Sequence, residues 1–306
     1  MTYEAVCYKG LDSHILSDGD LRILVTNYGA KIQSILFRGK EMLCQSFNQT
    51  DVYRESSYAA HFEEGEFSGF DHLFPNISAA DYPDGPWAGI RMPDHGEVWT
   101  QFWKPQYDGN SLSFCVNGIR LPYRFSVSMT VKQNTLHLTY EAENLTPYPM
   151  KYLWCCHPLF VLEDGMVLEL PNCRRIINTA PGQKFLGDYL EEHNWPVSNE
   201  GRNMSHLHTD NKCCNKYYVL GARERNDANL CYPDGTCISI NADADKAPYM
   251  GIWIDEMGYG KYAMACAAPE PASAALDSYE PADRYNYNSI LQPRETKRWN
   301  VEISFR

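Results

Sequence analysis

Three short segments place acid–base side chains where a polyhydroxylated ligand can be bound and turned over. The first, Pro93-Asp94-His95-Gly96-Glu97-Val98-Trp99, puts two carboxylates and an imidazole within four positions and closes on an indole. The polar groups can serve sugar hydroxyls, and the aromatic face suits the apolar side of a sugar ring. In the second, Tyr152-Leu153-Trp154-Cys155-Cys156-His157-Pro158-Leu159-Phe160, a histidine sits in an apolar run immediately before proline. Burying that imidazole is unfavourable unless a partner or a pocket compensates, and Pro158 cannot donate a ladder hydrogen bond, which predicts His157 at a sheet margin. The third, Ala265-Cys266-Ala267-Ala268-Pro269-Glu270-Pro271-Ala272-Ser273, holds a carboxylate between two prolines after a strand of small residues. The fixed φ of each proline makes a stiff arm for Glu270. Taken singly, each segment is equally compatible with a structural role: a capped turn, a core histidine, a solvated glutamate.

The elements that must position these groups are strands. Phe125, Val127, Met129 and Val131 alternate with Ser126, Ser128 and Thr130. Leu136, Leu138 and Tyr140 follow after the turn-like Gln133-Asn134, which predicts a hairpin. Leu112, Phe114 and Val116 alternate upstream, and Trp299, Val301, Ile303 and Phe305 share one face at the C-terminal end. Period two of this kind marks half-buried antiparallel strands. Shorter candidates are 21–26, 30–37, 167–170, 216–220, 237–242, 250–254 and 262–267, separated by turn signals such as Asp18-Gly19-Asp20 and Pro233-Asp234-Gly235. Helical periodicity is confined to a turn or two at Asp188–His193. The polar stretch 178–215 reads as a long excursion beside a binding face. Even spacing of strands over 306 residues, with no break in composition, predicts an all-β chain: one large antiparallel β-sandwich spanning residues 1–306.

Composition narrows the partners. The chain is acidic, with 27 Lys+Arg against 39 Asp+Glu and a formal charge of −12, and no basic run exceeds a pair. Nucleic acid is excluded on that ground, since phosphate binding needs a concentrated basic surface. No stretch approaches the roughly 18 apolar residues of a membrane span, and the N-terminal residues lack the apolar core of a leader. Eleven cysteines occur with no Cys-x-x-Cys spacing, so zinc-ribbon and thioredoxin readings fail. The expectation is a cytoplasmic protein with reduced thiols, and no metal.

The order of the three segments along a β-sandwich chain resembles the galactose mutarotase-like family, the aldose 1-epimerases. Asn27-Tyr28-Gly29-Ala30-Lys31-Ile32 resembles an early segment of that family, and Gly69-Phe70-Asp71-His72-Leu73-Phe74-Pro75 the segment before its first active-site loop. The Asp-His-Gly-Glu-x-Trp run is similar to that of an uncharacterised branch. Trp154-x-x-His157-Pro158 resembles the segment carrying the family's second histidine, Glu270-Pro271 its C-terminal Glu-Pro, and Leu291-x-Pro293-x-Glu295 the signature before its last strand.

The resemblance implies a galactose mutarotase-like supersandwich that interconverts sugar anomers through the open-chain aldehyde, without a cofactor, as a monomer or homodimer. Glu270 is then the base that takes the anomeric proton, and His157 the acid that protonates the ring oxygen. His95 orients the sugar, with Asp94, Glu97, Asp71, Arg91 and Trp253 as further substrate-binding candidates; Trp99 and Trp154 are alternative stacking walls. Two positions depart from the family. The arginine that precedes the first histidine loop in galactose and sugar-phosphate enzymes is missing from Phe67-Ser68-Gly69-Phe70-Asp71-His72, although Arg91 can compensate. The sugar-binding aspartate before a late strand is replaced within Asn215-Lys216-Tyr217-Tyr218. These departures point to an unphosphorylated carbohydrate as substrate. They leave open a non-catalytic carbohydrate-binding protein, a sugar-phosphate mutarotase, and a hydrolase or lyase pairing Asp94 or Glu97 with Glu270.

Overall fold

The alternating residues form the hairpin they predict. In the computed structural model, which describes residues 1–48, 50–221 and 225–306, the strands Tyr123–Lys132 and Thr135–Asn144 pair antiparallel with Lys132 opposite Thr135. Gln133 and Asn134, at φ 50° and 59°, make the two-residue turn, which needs both central residues in the left-handed region. Phe125, Val127, Met129, Leu136, Leu138 and Tyr140 all point inward and are buried. This hairpin is part of an eight-stranded sheet, in which Thr296–Phe305 lies between Cys237–Ala242 and Thr135–Asn144. Trp299 of that strand stacks on Tyr140, and both rings meet Trp154, which immediately precedes the strand Cys155–Pro158 of the second sheet. Each such aromatic contact contributes roughly 0.5–1.5 kcal/mol beyond simple burial, so the two layers are joined at their centre.

The second sheet has thirteen strands among the described residues, and it carries the chemistry. Its middle runs Ile32–Phe37, Phe70–Leu73, Cys155–Pro158, Ala265–Ala272, Tyr249–Glu256, Cys213–Val219, all antiparallel. One face packs on the eight-stranded sheet. On the other face a smaller apolar cluster gathers Phe62, Phe67, Trp99, Leu159, Met264, Cys266 and Ala268. Because side chains alternate across a strand, Glu270 falls on the same face as Cys266 and Ala268. The nearly all-strand, two-sheet architecture is the expected sandwich.

Several local expectations are corrected. Glu270 does not follow its strand but lies inside it, in Ala265–Ala272, while Tyr262 sits in a short 3-10 turn. Pro269 and Pro271 are accommodated because the strand is paired on one flank only between Ala267 and Ala272. His157 is not at a sheet margin: it pairs with Asp71 in the middle of the large sheet and is open only toward Glu270. No helix forms at Asp188–His193, where turns lead into the strand Glu192–Asn194. The one α-helix among the described residues is Tyr279–Arg284, which sequence periodicity did not reveal. Nine cysteines are free, but Cys231 and Cys237 are disulfide-bonded, so the thiols are not all reduced. Strand register puts these two directly opposite, with Cα atoms 4.2 Å apart, which their spacing alone does not disclose. No helix of the described residues is long and apolar enough to cross a membrane.

Glu97 also departs from its expected role. It is fully buried and turned away from the site face. Its carboxylate accepts hydrogen bonds from the Tyr58 hydroxyl (3.2 Å), the Tyr123 hydroxyl (3.1 Å) and the backbone N–H groups of Ile119 (3.1 Å) and Arg120 (2.7 Å). Burial pushes its pKa above the usual glutamate value despite these donors. Glu97 thus anchors the loop that carries His95 to the opposite sheet. Glu97→Ala leaves four donors without an acceptor and should destabilise the fold by about 3 kcal/mol. Urea unfolding checks this, and an unchanged midpoint would refute the anchoring role.

Candidate active site

Glu270 has no exposed surface, so its carboxylate depends on what the neighbouring strands supply. The register sets Tyr218, Gly251 and Glu270 side by side across three strands, with Lys216, Trp253 and Ala268 on the next rung of the same face. Gly251 leaves the space through which Glu270 meets Lys216. A Cβ there would lie 3.1 Å from Tyr218 Cζ and 3.4 Å from Glu270 Oε2. Lys216 Nζ donates to Glu270 Oε2 in a short contact, and lies 3.9 Å from Asp277 Oδ1. Tyr218 in turn donates its hydroxyl to Asp277 Oδ1 at 2.6 Å. The other carboxylate oxygen, Oε1 of Glu270, faces His157 Nε2 at 3.4 Å.

His95 reaches the same place from a turn. Its own φ is 61°, and Gly96 follows at 77°, where a Cβ would collide with Phe74 O at 2.2 Å. Only glycine fits there, and the turn is tied down by His95 N to Ile77 O (2.6 Å) and Glu97 N to Phe74 O (2.9 Å). The imidazole stacks on Phe62 with ring centroids 3.9 Å apart and planes within 4°. Its Nδ1 donates to Asp94 Oδ2 at 2.8 Å. The His95 and His157 rings are 5.5 Å apart, edge to face. Together with Phe67, Thr179, Lys216, Trp253, Tyr259 and Asp277 they line a cavity of about 230 Å³. That is smaller than the roughly 300–1,000 Å³ of drug-sized sites, and suits a single small ring. Thr179 Oγ1 and His157 Nδ1, on residues of its wall, and Glu270 Oε1, beside His157, are buried without hydrogen-bond partners.

The two histidines sit in opposite fields. Burial drives the pKa of His157 well below the ordinary histidine value, and His95, Lys216 and Lys31 push it the same way. Burial also opposes the charged form of His95, but Asp94, with help from Asp71 and Glu270, outweighs it and raises its pKa. Asp94 shows the reciprocal effect: burial works against its ionisation, yet the His95 contact holds it below the usual carboxylate range. Glu270 is pushed above the ordinary glutamate value by burial, with Lys216 pulling back and Asp277 adding to the rise. For Lys216 burial is overcome by Asp277 and Glu270, which fix its charged form.

Of the residues expected from sequence, His95, His157 and Trp253 line one cavity, with the buried Glu270 next to His157 and Asp94 hydrogen-bonded to His95. Asp71 is one layer back, fully enclosed and paired with Lys31 Nζ at 2.9 Å. Arg91 does not take part: it lies on the small hairpin Ala80–Asp81/Arg91–Met92, exposed and facing Asp81. Trp99 supports the site from below, donating its indole N–H to Asp94 O at 3.1 Å, and Trp154 is in the core. Lys216, Asp277 and Phe62 were missed. A lysine alternating with apolar residues in a strand looks like a solvent-facing position, and only the register reveals its partner.

No family model matches the chain, and no curated protein matches its sequence. Solved structures match over nearly their whole length. The Slr1438 protein from Synechocystis sp. PCC 6803 superposes with a TM-score of 0.72 at 14% identity, covering 96% of this chain and 95% of that one. A galactose mutarotase-like protein from Lactobacillus casei gives 0.71 at 17% identity, covering 96% and 100%. A galactose mutarotase related enzyme from Lactobacillus acidophilus gives 0.69 at 15% identity, covering 96% and 97%. At such identities the likeness is one of fold: the chain has the galactose mutarotase-like sandwich.

Proposed function

We propose that this protein is an aldose 1-epimerase that interconverts the α and β anomers of an unphosphorylated sugar. The observation that carries the reading is a pair of imidazoles lining a cavity sized for a single sugar ring, with a buried carboxylate 3.4 Å from one of them. Glu270 takes the proton from the anomeric hydroxyl, and an imidazole returns one to the ring oxygen as the C1–O5 bond breaks. Rotation about C1–C2 and reversal of the two transfers closes the other anomer. The family resemblance gives the acid role to His157 and the orienting role to His95. Trp253 offers its indole to the sugar's apolar side.

Charge argues for a neutral substrate. Lys216 is the only lysine or arginine lining the cavity among the described residues, and it is already engaged by Glu270 and Asp277. A phosphate is usually gripped by arginines, and Arg91 is out of reach. One feature favours a second reading, a carbohydrate-binding protein without turnover: the Lys216 contact occupies one oxygen of the intended base.

The two readings separate by experiment. Saturation-transfer NMR across a panel of aldoses should show accelerated anomer exchange, abolished in Glu270→Gln. Sugar binding without exchange, persisting in that variant, would establish the binding protein instead. A second prediction concerns pH. Glu270 must be ionised to act, so kcat/KM should fall as pH drops through a value above that of an ordinary glutamate. Removing the neighbouring positive charge in Lys216→Met raises the Glu270 pKa further, and the acidic limb should move to higher pH. An unmoved limb would show that Glu270 is not the titrating base.

A further inference from the structure

We propose that the Asp94–His95 pair, not His157, supplies the acid in this site, with His95 Nε2 as the atom that protonates the ring oxygen. The inference rests on the epimerase reading and reverses the roles that family resemblance gives to the two histidines.

The geometry distinguishes them. Asp94 Oδ2 accepts from His95 Nδ1 at 2.8 Å, so the carboxylate fixes the ring by one nitrogen and leaves Nε2, which has no partner among the described residues, toward the cavity. Asp94 is itself held in place, since Trp99 donates to its backbone oxygen and Phe62 lies flat on the His95 ring. A carboxylate behind an imidazole stabilises the imidazolium and orients it. His157 has no such support. Its Nδ1 is buried without a partner, and its Nε2 faces the very carboxylate that must receive the anomeric proton.

The surrounding charges agree. The titratable groups facing His95 are Asp94 on its own turn, Asp71 on Phe70–Leu73, Glu270 on Ala265–Ala272 and His157 on Cys155–Pro158. Three of these four are carboxyl groups. At His157 burial comes first against a proton, and His95, Lys216 and Lys31 add to it, so the protonated form is disfavoured even with Glu270 Oε1 3.4 Å from Nε2. The surroundings thus favour a proton on His95 and disfavour one on His157. Two titratable groups driven apart by their environments are the usual basis for dividing acid and base work.

The step balances. Glu270 Oε1 takes the O1 proton, the O1 lone pair forms the C1=O1 bond, and the C1–O5 electrons move to O5. O5 takes the proton from His95 Nε2, leaving neutral His95, protonated Glu270 and the open-chain aldehyde. Closure on the other face of C1 returns both protons. Neutral His157, beside Glu270, is left to hydrogen-bond the sugar and hold the base carboxylate in line.

The test is the pH profile of kcat/KM for anomer exchange, together with ¹⁵N NMR titration of the histidines in the whole protein. In the wild type His95 should titrate above the ordinary histidine value and His157 far below it. The basic limb of kcat/KM should follow His95. Asp94→Asn keeps the shape but removes the charge, and should move both the His95 titration and the basic limb to lower pH. A merely structural role for Asp94 would move neither. His95→Asn should lower kcat by roughly 10²–10⁴-fold, and His157→Asn should act mainly through a higher KM with the basic limb in place. If His157 is the histidine that titrates high in the wild type, the assignment fails without recourse to any variant. A basic limb that follows His157 in an active enzyme overturns the assignment alone. A wild type inert on every aldose overturns the epimerase reading, and the acid role with it.

Discussion

A carboxylate with no exposed surface must be neutralised, hydrogen-bonded or protonated, and the site is arranged around how Glu270 avoids the last of these. Its compensation comes from Lys216, two strands away, across a glycine that leaves the line of contact open. The lysine is largely buried, and is stabilised by a second carboxylate, Asp277, which Tyr218 fixes through its hydroxyl. Each desolvated charge would be costly by several kcal/mol in isolation. Held together they form a rigid group whose formal charges, one lysine against two carboxylates, leave a net −1 facing the cavity. The two residues, on adjacent rungs, therefore depend on antiparallel register, because a slip of one residue would send Lys216 to the opposite face.

That residual negative charge shapes everything near it. It is one reason a positive imidazole is tolerated nearby at His95, and the fixed ammonium of Lys216 is one reason a second is not tolerated at His157. Identical side chains 5.5 Å apart are thereby shifted in opposite directions by their surroundings. Asp94 completes the difference. The Asp94–Trp99 run consequently divides its labour: Asp94 serves His95, Glu97 serves the core, and Trp99 braces the turn between them.

The sandwich was legible in the sequence because burial on one face imposes period two, and the strands from Leu112 to Tyr140 and from Trp299 to Phe305 display it openly. The three segments of the candidate site were also legible, since imidazoles and a proline-flanked carboxylate in apolar runs need compensation. What compensates them was not. Lys216 is separated from Glu270 by 54 residues, and its place beside Glu270 is fixed by cross-strand register, which a single sequence does not display. The direction of Glu97 was hidden for a related reason. Neighbouring residues in a turn point to different sides, and only the donors at Tyr58 and Tyr123 decide which carboxylate goes inward. The prolines around Glu270 misled in the other direction: they normally end a strand, but here the missing partner on one flank lets the strand continue through them.

The same constraint bears on what this site can hold. The fold alone does not choose a substrate, and structural likeness at 12–17% identity carries no residue-level information. The local charges are more discriminating. A phosphate brought into the cavity would approach Glu63 and Asp277, and the one ammonium in the lining is already shared between Asp277 and Glu270. Drawing Lys216 toward a phosphate would strip Glu270 of the contact that favours its ionised form, so binding such a ligand opposes the proposed role of Glu270 as base. A neutral sugar makes no such demand. Its hydroxyls can use the unpartnered oxygens of Thr179 and Glu270 and leave the lysine where the base needs it.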